Sequence, residues 1–159
     1  MLGNKLNLKN DFLEKIGINH QHDNPQRQRG VGSLQSHAQN LLYLQSLGVT
    51  DIGKVVTRLP QILSYSIEDN LQPNVEYLTN QCYVTIRDIE QNPNLVSYSL
   101  DKRVKPRHTF LQTKGIEVGY DITVGTMLKS NDRRFAKTAK SDYDEWMSFK
   151  EDYLQKANW

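Results

Sequence analysis

The sequence predicts an all-α fold of stacked helical repeats, a solenoid, and three observations predict it. Four of the five prolines form two pairs 33 residues apart, Pro60 with Pro93 and Pro73 with Pro106, and their surroundings recur at the same offset: Tyr65-Ser66 with Tyr98-Ser99, Leu63 with Val96 and Leu71 with Val104. An aromatic-Leu pair, three residues and then a small residue recur as Phe12-Leu13 to Gly17, Tyr43-Leu44 to Gly48, Tyr77-Leu78 to Cys82 and Phe110-Leu111 to Gly115. Between these landmarks the apolar residues keep a helical period, and no stretch alternates as a strand would. Helix pairs this short cannot bury an apolar face alone, so two full units, with partial ones at each end, should stack.

The elements follow in order. Residues 1–33 read as a degenerate N-terminal unit and a basic linker, in which Arg27-Gln-Arg29-Gly-Val-Gly either orders on RNA or is simply solvated. Residues 34–140 carry the repeats. Ile52, Val55, Val56 and Leu59 form one apolar stripe behind an N-cap at Thr50 or Asp51. Ile86 and Ile89 begin the same stripe one unit later, where Thr85 and Asp88 have the spacing of a capping box. Pro60 and Pro93 stop these helices and open short turns. A second helix follows, with Ile67, Leu71, Val75 and Leu78 on one face and Ser66 as cap. Pro73 and Pro106 lie well inside such helices and are expected to bend them at a cost of roughly 3 kcal/mol each. Gly48 and Gly115 supply left-handed C-terminal caps, and the second unit aligns Cys82-Tyr83 with Gly48-Val49. Residues 141–159 form an amphipathic helix with Tyr143, Trp146, Met147, Tyr153 and Leu154 on one face, either capping the last unit or docking a protein partner.

Composition bounds the function. A chain of 159 residues, 37% hydrophobic and 24% charged, is one domain's worth and excludes a multidomain enzyme. No run approaches the roughly 20 apolar residues of a membrane span, and the first 18 residues read as neither a signal nor a transit peptide. Cys82 alone builds no disulfide framework or thiolate zinc site, which fits a reducing compartment. His20, His22 and Asp23, with His37 nearby, read as a polar surface loop rather than a metal site. No nucleophile-base constellation, phosphate-cradling Gly-rich loop or Cys-x-x-Cys pair is present, so no catalysis, metal or cofactor is expected.

The net charge is only +2, but it is unevenly spread. Ser99 to Lys140 holds ten Lys and Arg against four acids, whereas Ser141 to Trp159 holds two against five. On helical wheels Lys54 and Arg58 lie opposite their apolar stripe, and Arg87 takes the place of Lys54 one unit on. Lys102 and Lys105 point away from Leu100, Val104 and Leu111, with Arg103 on their flank. Arg107 falls on the apolar face and is expected to pair with an acid of the neighbouring unit. Arg133, Arg134, Lys137 and Lys140 carry the basic surface onward, over a helix anchored by Phe135. Apart from Arg107 these cations are the expected phosphate contacts; the competing reading is an ordinary solvated face.

Pro60-Gln-Ile-Leu63-Ser-Tyr65-Ser66, then Leu71-Gln-Pro73, repeated as Pro93-Asn-Leu95-Val-Ser-Tyr98-Ser99, then Val104-Lys-Pro106, resembles the repeat of the mitochondrial transcription termination factor (mTERF) family. Met127-Leu128-Lys-Ser130-Asn-Asp132-Arg-Arg-Phe135 is similar to the way plant and algal members end. The resemblance covers roughly residues 40 to 136, and Asn19 to Ser33 lacks the Pro-x-x-Leu-x-Tyr motif. It implies units of two α-helices and a short 3₁₀ helix in a curved superhelix that binds double-stranded DNA or structured RNA in a mitochondrion or plastid. Two roles follow. One is a nucleic-acid-binding protein acting in RNA metabolism, ribosome assembly or transcription. The other is a non-catalytic structural subunit of a large organellar assembly such as a ribosome, held by protein contacts.

Overall fold

The computed structural model describes residues 28–158, with side chains from Leu34 onward. The described residues are helical except for turns and one isolated bridge, Val118 to Ile122. They fall into two compact units that divide after Ile67.

In the first unit, helix α1 (Gln28–Ser46) is followed by α2 (Ile52–Arg58) and a 3₁₀ turn (Pro60–Ser64). Helix α1 starts inside the stretch expected to be a flexible linker, so residues 28–33 are helical backbone instead; the two glycines there are outweighed by the long helix that they open. Asp51, not Thr50, caps α2 by accepting from the Lys54 amide at 2.9 Å. Gly48 sits at φ +88°, and the Val49 amide reaches back to the Leu44 carbonyl, closing α1 in a Schellman turn. Leu44, Val55, Leu59 and Ile62 form the core.

The second unit repeats this plan. A π-turn (Ile67–Leu71) leads into α3 (Gln72–Gln81), then α4 (Ile86–Gln91), a 3₁₀ turn (Pro93–Ser97), a second π-turn (Leu100–Val104) and α5 (Lys105–Thr113). Both halves of the Thr85–Asp88 capping box form. Pro73 and Pro106 are not interior helix prolines. A widened turn precedes each, so each occupies the first turn of the α-helical stretch, where a missing N–H leaves no bond unmade. Around the second, the Val104 amide donates to the Ser99 carbonyl and the Lys105 amide to the Leu100 carbonyl, both five residues back.

A side-chain clasp ties helix to turn in each unit. Buried Asn40 donates through Nδ2 to the carbonyls of Ile62 and Tyr65, at 2.8 and 2.9 Å. Buried Asn74 does the same to Val96 and Tyr98, at 2.8 and 3.2 Å. Each stands three residues before an aromatic-Leu pair, and so does Arg107. There the third array has no proline-led turn, and the longer side chain reaches the carbonyls of Met127 and Ser130, at 2.7 and 2.8 Å.

The chain ends with α6 (Val124–Lys129), α7 (Asp132–Thr138) and α8 (Tyr143–Ala157). Helix α8 packs on α5 and α7 through a ring cluster in which Trp146 lies 4.6 Å from Phe135 and 5.1 Å from Phe110, centroid to centroid. Asp132 is its polar hub. One carboxylate oxygen accepts from Arg107 at 3.1 Å and from Trp146 Nε1 at 3.0 Å, and the other from Lys150 at 3.0 Å. Arg107 is 2% exposed, so this partner supplies a buried guanidinium with its counter-charge. The pairing expected from the helical wheel is therefore made. Trp146, placed on a docking face by the sequence, is fully buried and offers a partner nothing; Tyr143, Met147, Tyr153 and Leu154 are half-buried.

Candidate nucleic-acid interface

The expected cations separate into three groups once the packing is known. The first is structural. Arg103 donates to the Leu128 carbonyl through Nε and Nη2, at 2.9 and 2.7 Å, reaches the Ser130 carbonyl and lies over the Tyr98 ring at 5.2 Å. A helical wheel places it on the flank of a basic face, but three carbonyl bonds make it a strut. The second group is partly neutralised or covered. Lys105 pairs with Asp101 at 2.8 Å, and the Arg133 guanidinium lies over the Tyr143 ring at 4.6 Å.

The third group lies at or near the surface. Lys54 is half-buried and Arg58 exposed in the first unit; in the second, Arg87, Lys102, Arg134, Lys137 and Lys140 are exposed. Of these, Arg134 and Lys137 line one groove. With Lys129 they border this groove of about 580 Å³ between α6 and α7, lined otherwise by Thr123, Gly125, Thr126, Ser130 and Thr138. Among the described residues none of these three cations is in an ion pair, and no acid lines the groove. Lys129 escaped the sequence reading although it sits in the Met127-to-Phe135 motif. Arg87, Lys102 and Lys105 do not line this groove.

A wider cavity of about 740 Å³ adjoins it, sharing Thr123, Gly125 and Thr126. Its walls come from the α3–α4 junction and the loop before α6, and they include Asp88, Asn92 and Asp121 but no Lys or Arg. Asp88 is held below the usual carboxylate range by its side-chain and backbone hydrogen bonds with Thr85. Tyr83 and Tyr120 also line it, 68% and 87% exposed. Here the structure corrects the alignment of Cys82-Tyr83 with Gly48-Val49. The cap of α3 is one residue longer, so Val84 fills the buried place of Val49 and Ile116, and Tyr83 is left outside at φ +57°. That conformation costs an L-residue of order 1 kcal/mol.

Cys82 is buried, and burial pushes its thiol up to about 12. His20, His22 and Asp23 lie outside the described residues, and His37 is half-buried. No metal-binding cluster occurs among the described residues, and none of their helices is long and apolar enough to cross a membrane.

The family model for mTERF matches residues 2–136. The chain belongs to the mTERF family. This mTERF chain is 30% identical over 103 residues to the chloroplastic transcription termination factor MTERF2 of Arabidopsis thaliana, an alignment that covers 64% of the chain and 15% of that protein. It is 31% identical over 98 residues to the mitochondrial transcription termination factor MTERF15 of the same plant, covering 60% and 22%. A shorter stretch of 41 residues is 51% identical to the chloroplastic MTERF9, covering 24% and 8%. The chain thus spans less than a quarter of the length of these relatives. All three are organellar proteins, which supports an organellar location for this mTERF chain. No solved structure matches it.

Proposed function

We propose that this mTERF chain is a nucleic-acid-binding factor of a mitochondrion or plastid, acting in transcription or RNA maturation as a binder rather than a catalyst. The observation that carries the reading is the groove that Lys129, Arg134 and Lys137 line together with no acid among its walls. Cations and hydroxyls on short helices are the groups that hold phosphate oxygens without reading bases. The names of the relatives, all transcription termination factors, point the same way. Lys102 and Arg87 extend the contacts along the backbone. The alternative, a structural subunit held by protein contacts through α8, loses its central anchor because Trp146 belongs to the core.

The test is a salt titration of binding to single- and double-stranded RNA and DNA. Each phosphate that the protein ceases to neutralise flattens the slope of log K against log salt by roughly 0.7 to 0.9. Reversing Lys129, Arg134 and Lys137 to Glu should flatten the slope by about two to three such steps. Lys102→Glu with Lys105→Glu should have a smaller effect, since Lys105 already faces Asp101. Unchanged binding by the triple variant overturns the assignment of the groove.

A further inference from the structure

We infer that the groove between α6 and α7 and the cavity beside it form one continuous site for an unpaired nucleotide of a single-stranded nucleic acid, its phosphate among Lys129, Arg134 and Lys137 and its base on Tyr83 and Tyr120. The inference rests on the nucleic-acid reading above and narrows it from any nucleic acid to a single strand.

Continuity comes first: the two concavities share Thr123, Gly125 and Thr126. Charge then orients the ligand. One end is lined by three cations and no acid, the other by Asp88 and Asp121 and no cation. A duplex presents phosphate along its whole surface, so an acidic end repels it. An unpaired nucleotide is different in kind, since its anionic phosphate and neutral base match the two ends separately.

The aromatic end is built for a flat ligand. Apart from Leu34, Tyr83 and Tyr120 are the exposed large apolar side chains among the described residues. Exposed aromatic faces beside a basic groove are how proteins hold unstacked bases. Both rings stand on rigid backbone. Tyr120 is on a turn closed by the Asp121 amide donating to the Glu117 carbonyl at 2.8 Å and the Glu117 amide donating to the Asp121 carboxylate at 2.7 Å. Tyr83 is held in a left-handed conformation by the longer cap of α3, against Gly119, where a Cβ would come within 3.2 Å of the Tyr83 Cβ. Val84 fills the core place, so packing does not require a tyrosine at 83. Asp88 and Asn92 add acceptor and donor groups for a base edge.

The experiment measures anisotropy of labelled oligouridine RNA and of a labelled RNA duplex of equal length, with the full chain at one fixed salt. The expected result is tighter binding of the single strand. Tyr83→Ala with Tyr120→Ala should weaken it roughly tenfold or more and reduce the preference over duplex by the same factor, while Tyr→Phe at both positions keeps it. Tyr120→Ala alone, at a fully exposed turn, and Tyr83→Gly, which suits the left-handed backbone, give the same readout if the double alanine variant misfolds. Equal binding of the two probes, or tyrosine variants that bind single strand like the wild type, overturns the inference while phosphate binding at the cationic end stands. Failure of the wild type to bind either probe overturns the inference, and failure to bind single- and double-stranded DNA as well overturns the nucleic-acid reading.

Discussion

Removing the Asp132 carboxylate should destabilise the second unit more than any other single change on the surface of α7. In Asp132→Ala the guanidinium of Arg107, 2% exposed, keeps its two carbonyl partners but loses its counter-charge, and the indole of Trp146 loses its acceptor. Stripping one partner from a buried ion pair costs about 3 to 5 kcal/mol. Asp132 is itself 28% exposed, which places the effect near the lower end, about 3 kcal/mol. The assay is urea denaturation followed by tryptophan fluorescence, since Trp146 lies at the centre of the ring cluster. pH supplies a second axis. Burial pushes the Asp132 carboxyl up, but hydrogen bonds from Trp146, Lys150 and Arg107 outweigh it, and the net shift is downward. The unfolded chain therefore takes up the proton first as pH falls. The contribution is complete above the ordinary carboxylate range and is lost as pH falls through the lower folded value, so wild type and variant converge in acid. A cost below about 1 kcal/mol at neutral pH, or a gap that widens in acid, refutes the counter-charge argument.

Two further outcomes can be checked by the same denaturation assay. Asn74→Ala removes two hydrogen bonds and leaves the Val96 and Tyr98 carbonyls without their clasp, a cost of about 2 to 4 kcal/mol, and Asn74→Asp should cost more at neutral pH because a carboxylate then faces two carbonyls. His108 is buried, and burial lowers its pKa; the Tyr77 hydroxyl, its own pKa raised to about 12 chiefly by burial, is hydrogen-bonded to Nδ1 at 2.8 Å. The unfolded chain then binds a proton that the folded one refuses, so stability falls as pH drops through the ordinary histidine range by at most about 1.4 kcal/mol per pH unit, and His108→Gln should flatten that fall. A pH profile unaltered by His108→Gln removes His108 as its source.

What the sequence made legible about the fold is what local chemistry decides. The Thr85–Asp88 box, the left-handed Gly48 and Gly115, and the turns opened by Pro60 and Pro93 each depend on residues within one or two turns of one another. The π-turns were not legible, because a proline advertises the loss of a donor but not whether the chain bends or widens to accommodate it. The asparagine clasps lay between these extremes. They bridge 22 to 25 residues, beyond any local pattern, yet their signal was present in the position three residues before each aromatic-Leu pair.

The candidate site was half legible for a related reason. A helical wheel treats a helix as a bare cylinder and sorts its cations into inward and outward; it cannot say that an outward arginine meets the end of another helix. Arg103 and Arg134 look alike in sequence, but one finds the carbonyls of Leu128 and Ser130 and the other faces a groove. The difference follows from the absence of the proline-led turn in the last repeat. With no such turn to clasp, the position of Asn40 and Asn74 passes to an arginine, and two guanidiniums converge on the end of α6. Their bonds fix the Ser130 backbone between α6 and α7, and with it the spacing of Lys129 from Arg134 and Lys137. The cations that lock the last repeat are thus the reason that its remaining cations share a groove.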